Sequence, residues 1–238
     1  MKAVSRNVRN TTARHNNLFI TKLKFTSSPT EKTTAITDIL LALVAASSIA
    51  YLQRPESAEI WKINTWCWAF AFIALSGILG AIAHGLELPE VRHQRIWQLL
   101  NLSLGLAVSI FVIGVAYDLF GIVWAKKLLP WMLVSALGFF LATCLFQGIF
   151  FVFIVYEATA LLFACAAYSW LAVTNQLNGA LLMAAGVLVS IIAAGIQASK
   201  NVSVTIVFEF DHNGIFHIVQ ILGIVLLVAG LRLSLFSN

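Results

Sequence analysis

The sequence predicts an all-α, polytopic integral membrane protein of seven transmembrane helices, and three observations lead there. The first is composition: of 238 residues 60% are apolar and only 11% charged, against roughly 25% charged in soluble domains. The second is where the charge lies. Residues 1–33 hold seven basic side chains (Lys2, Arg6, Arg9, Arg14, Lys22, Lys24, Lys32) and one acid, Glu31, so this stretch carries +6 of a net +5 and the remaining 205 residues −1. The third is a series of apolar runs, each near the roughly 20 residues that cross a bilayer as a helix.

The runs fall at about 35–52, 63–86, 97–118, 127–146, 149–172, 180–198 and 215–235. Polar, charged, Gly or Pro residues punctuate the boundaries except between Leu128 and Val173, where Glu157 is the one charge. That stretch is too long for a single helix at about 1.5 Å per residue, so it divides at Gln147-Gly148. Without the division six spans would remain and both chain ends would lie on one side. Two units follow: a basic tail, 1–33, and a transmembrane domain, 34–238. The tail, rich in Ser, Thr and Asn, has the composition of a disordered arm attracted to anionic lipid, and also that of a transit peptide.

Lys and Arg number ten on the N-terminal side of the membrane and five on the other (Arg54, Lys62, Lys126, Lys127, Arg232). The excess predicts a cytoplasmic N-terminus and a C-terminus opposite. A folded body of net −1 offers no clustered basic face for nucleic acid. Cys67, Cys144 and Cys165 lie in spans at no metal or disulfide spacing. No Gly-rich phosphate loop, His-Glu-x-x-His or paired-Cys zinc motif occurs.

Ionisable groups inside a bilayer are costly and mark function. Threading the spans brings Asp38, His84, Asn101, Asp211, His212, Asn213 and His217 to one face, with Glu157 about 12 Å deeper from the same face. Asp118 falls at the opposite end. Three imidazoles, His84, His212 and His217, suit a divalent metal with an open position for water. Packing or a hydrogen bond to a neighbouring helix is the competing explanation for each. His212 and His217 are rotated by about 140° on a helix, so His212 is expected off the helix, with Asn213 as N-cap. Residues 202–210 read as an extended interfacial stretch leading to the site. His93 reads as a solvated loop residue. Ser76, Gly80 and His84 form a small-residue stripe on the second span, and Gly186, Ser190 and Ala194 a packing stripe on the sixth.

The stretch His212-Asn213-Gly214-Ile215-Phe216-His217-Ile218-Val219-Gln220, with His84 closing the second span, resembles the histidine motifs of the CREST superfamily of seven-helix membrane proteins. That superfamily includes alkaline ceramidases, progestin and adipoQ receptors and the hemolysin III group; the His-Asn-x-x-x-His-x-x-Gln pattern looks like a prokaryotic branch. The resemblance implies a zinc ion held by His84, His212 and His217 and hydrolysis of a lipid amide or ester. This chain departs from the pattern in three places. Its last histidines are five apart rather than four, Gly80 stands at the family's serine, and the family's aspartate near the third span has only Asn101 and Asp38 as positional stand-ins.

Three functions are therefore expected to compete. In a zinc-dependent, ceramidase-like hydrolase, Asp38 or Asp211 would act as base or orient an imidazole, with Ser76, Asn101, Asn213 and Glu157 in support. In a transporter, receptor or ion sensor the same groups would relay protons, with Glu157 as carrier. In a b-type haem protein His84 and His217 would be axial ligands.

Overall fold

A computed structural model describes residues 24–53, 59–146, 150–199 and 201–236. The stretch 1–23, Arg54, Lys200 and the division at Gln147-Gly148 lie outside the described residues. The chain forms α1 (Pro29–Leu52), α2 (Ile60–Gly85), α3 (Glu90–Phe120), α4 (Ile122–Leu145), α5 (Phe150–Val173), α6 (Ala180–Ser199) and α7 (His212–Phe236). All seven are long and apolar enough to cross a membrane. Between α6 and α7, β1 (Val204–Thr205) and β2 (Glu209–Phe210) pair antiparallel, so the expected extended stretch is a short hairpin.

Three boundaries move. α1 begins inside the segment assigned to the tail: Ser28 caps it, its Oγ accepting from the Glu31 N–H at 3.4 Å, and Pro29 stands in the first turn. A proline there costs no backbone bond, because its missing N–H had no partner in the helix. α3 begins at Glu90, which puts His93 on a helix rather than in a loop. His212 opens α7, and the cap is Asp211, not Asn213: Asp211 Oδ1 accepts from the Gly214 N–H at 2.9 Å. The carboxylate accepts a free N–H at the positive end of the helix dipole, where an amide would gain less.

Contacts run from α1 to α2 and α7, from α2 to α3, from α5 to α6 and from α6 to α7, with α3 also touching α5. Six helices thus close a ring, while α4 leans on the outside of α3 and buries only Ala125, Ala136 and Phe139. Apolar faces gain little by leaving lipid for one another, so close backbone packing has to hold the ring. The sixth-span stripe does this: a side chain on Gly186 would meet the Gly223 carbonyl at 2.7 Å.

At one end of the bundle Phe25 pairs with Leu86, and Thr33 Oγ1 donates to the Glu209 carbonyl at 2.7 Å. At the other, Lys62 and Asp118 form an ion pair of 2.7 Å with side chains 2% and 1% exposed. Tyr168 Oη donates to Asp118 at 3.0 Å and Lys62 Nζ to Ser234 Oγ at 2.9 Å, so one buried cation and one buried anion tie α2, α3, α5 and α7.

Candidate functional site

A cavity of ≈ 720 Å³ fills the ring at the end where α1 starts. Asp38, Ser76, His84, Asn101, Glu157, His212, Asn213 and His217 line it, so residues far apart in sequence meet there as threading requires. Much of the remaining wall is apolar, with Trp66, Phe70, Phe111, Ile224 and Leu227. Asp211 is not part of the lining. Its Oδ1 accepts from Gly214 N and from Thr34 Oγ1 at 3.0 Å, which assigns it to capping and to joining α7 to α1.

The polar end is organised by α1. Thr37 Oγ1 lies 3.0 Å from His217 Nδ1, and Asp38 Oδ1 lies 3.3 Å from His217 Nε2. Successive α1 residues thus hold both nitrogens of one ring from α7. Asp38 reaches it because Gly80 on α2 has no side chain: a Cβ there would stand 2.6 Å from Asp38 Oδ1. The small-residue stripe of the second span thus makes room for Asp38.

Proton positions follow from the donor count. Thr37 has one hydroxyl proton and gives it to the Thr34 carbonyl at 2.9 Å, so it accepts from His217 Nδ1–H. Asp38 Oδ1 faces Nε2 at 3.3 Å as a close charge contact rather than an aligned hydrogen bond. Asp38 Oδ2 is buried with no hydrogen-bond partner, an open acceptor beside that pair. Together these place a carboxylate and an imidazole side by side at the polar end of the cavity.

His84 sits at the rim. Its Nδ1 is 2.7 Å from Glu31 Oε2, and Trp97 packs against it edge-on at 5.4 Å. Trp97 in turn donates to His93 Nε2 at 3.1 Å, so His93 is a partner at the cavity mouth. His212 and His217 both belong to α7 and point about 140° apart. Among the described residues no three His, Cys, Asp or Glu side chains gather tightly enough to hold a metal ion.

Ser76 Oγ donates to the Ile73 carbonyl of its own helix at 2.8 Å. Thr37 and Glu31 carry the site and were not among the residues singled out from sequence. Glu31 had a legible signal, because Ser28-Pro29-Thr30-Glu31 is a capping-box pattern with a proline in its first turn. Thr37 had none, since a threonine near a helix start is unremarkable until its partner is known.

A family model matches residues 33–235. The chain belongs to DUF6962, a family of unknown function. The matched region begins inside α1 and ends inside α7. No curated protein and no solved structure matches the chain.

Proposed function

We propose that the protein is a multi-pass membrane protein that hydrolyses an amide or ester bond of a lipid, with its polar end and N-terminus on the cytoplasmic side. The observation that carries this reading is the Asp38–His217 pair at the polar end of a cavity whose wall is largely apolar. Such a cavity receives an amphiphile lengthwise, its chain along Phe70, Ile224 and Leu227 and its head at the pair.

In the hydrolytic step a cavity water gives a proton to the Asp38–His217 couple as its oxygen bonds to the carbonyl carbon. The bond to the leaving nitrogen or oxygen then breaks, and the couple returns the proton to that atom. Thr37 keeps Nδ1 protonated, so Nε2 and the carboxylate are the groups that exchange it. His84, fixed by Glu31, stands at the rim as a donor for the carbonyl oxygen.

The zinc ion implied by the likeness to the CREST superfamily needs three ring lone pairs turned to one point. His217 has both nitrogens turned to α1, and the three imidazoles do not converge as they stand. They fit zinc poorly, and no step above runs through a metal. The test is release of labelled fatty acid from an NBD-labelled ceramide and an NBD-labelled phospholipid in proteoliposomes. Release by the wild-type protein that Asp38→Asn abolishes supports the reading; no release from either lipid counts against it.

A further inference from the structure

Deeper in the cavity lies a second set of polar atoms that the acid–base pair does not use. Glu157 on α5, Ser190 on α6 and Gln220 on α7 all line it. By helix rise each stands about 10–14 Å from the end where α1 starts. Gln220 Nε2 donates to Ser190 Oγ at 3.1 Å, and Ser190 donates its own proton to the Gly186 carbonyl at 3.1 Å. This fixes the carboxamide and leaves Gln220 Oε1 buried with no donor. The Glu157 carboxyl faces the same space and draws no hydrogen bond or ion pair from the described residues.

A buried acceptor without a donor, such as Gln220 Oε1, is expensive among apolar walls, since it forgoes the water it had outside, and the Glu157 carboxyl opens on the same space from another helix. Their common neighbour is the cavity. We infer that Glu157 and Gln220 form a second subsite that takes a hydrogen-bond donor, a hydroxyl or an ammonium, carried on the body of the ligand. This inference rests on the proposed lipid substrate and narrows its class: a chain with a donor group set back from the scissile bond, rather than a plain acyl chain. A fatty acyl ester with an unsubstituted tail would leave both acceptors bare.

The test is competition by three chain-matched amphiphiles, dodecylamine, dodecanol and methyl dodecyl ether, against a BODIPY-labelled dodecyl probe bound to the protein in nanodiscs. Empty nanodiscs correct for partitioning. One charge-assisted or neutral hydrogen bond predicts roughly tenfold tighter binding of a donor-bearing chain than of the ether. A preference for the amine over the alcohol that Glu157→Gln removes identifies an ammonium; equal preference identifies a hydroxyl. Glu157→Leu and Gln220→Met, each checked for a monodisperse elution profile, should each lower the ratio, and combined they should bring it to within about twofold of unity. Equal binding of ether and donors by the wild-type protein, or a ratio unchanged in both variants, overturns the subsite. Asp38→Asn should abolish hydrolysis and leave the ratio intact. Donor preference without any hydrolysis therefore sinks the acid–base reading alone, and hydrolysis without donor preference sinks the subsite alone.

Discussion

The carboxylate of Asp38 occupies the space that a side chain on Gly80 would need: a Cβ on Gly80 would stand 2.6 Å from Oδ1 and 2.8 Å from Oδ2. One helix thus gives up its side chain so that an acid on its neighbour can reach an imidazole on a third. Any side chain at position 80 would close this path.

Gly80→Ala should separate α1 from α2 or push Asp38 off His217. Overpacking of this kind costs about 1–3 kcal/mol. Gly138→Ala, where nothing lies within 4 Å of the added methyl, should be neutral or mildly stabilising. Thermal unfolding of the two variants in detergent compares them directly.

Lys62→Met should be among the most damaging single changes at the end opposite the cavity. It leaves Asp118, 1% exposed, without its cation, and breaking a buried pair in this way costs about 3–5 kcal/mol. The double variant Lys62→Met with Asp118→Leu should recover much of the loss, because no uncompensated charge remains. A double-mutant cycle on unfolding in mixed micelles measures both.

Thr37 positions His217 without touching the ligand. Thr37→Val leaves the Nδ1–H buried with no acceptor, a loss of about 1–3 kcal/mol. Turnover should fall by roughly tenfold or more while KM stays near wild type. Thr37→Ser, which keeps the hydroxyl, should restore the rate. Equal changes in KM and kcat would point to a general loosening of α1.

Purified protein should hold well under one zinc per chain, and hydrolysis should survive a chelator. Both expectations follow from the engagement of His217 by Thr37 and Asp38. One zinc per chain, lost in His84→Ala and in His217→Ala, would restore the three-imidazole site.

The seven helices were legible because spans announce themselves by composition, and the gathering of Asp38, His84, His217 and Glu157 followed from counting which end of each span a residue occupies. Partners were not legible in the same way. Lys62 counted as a loop cation and Asp118 as an acid at the wrong end, yet each neutralises the other in the protein interior. Depth along a span comes from sequence, whereas which neighbour a side chain faces depends on rotation about the helix axis. His212 shows the local limit: two competing caps, Asp211 and Asn213, stand two residues apart, and the choice between them sets whether the histidine belongs to α7.

The measurement that bears most directly on the Asp38–His217 couple is the ¹⁵N spectrum of histidine-labelled protein in nanodiscs, with His217 assigned by its loss in His217→Gln. The expected spectrum has a protonated Nδ1 that does not change in Asp38→Asn, and an Nε2 resonance that moves in that variant. An unprotonated Nδ1, or an Nε2 indifferent to Asp38→Asn, contradicts the pairing of Asp38 with His217 and with it the chemistry proposed for the cavity.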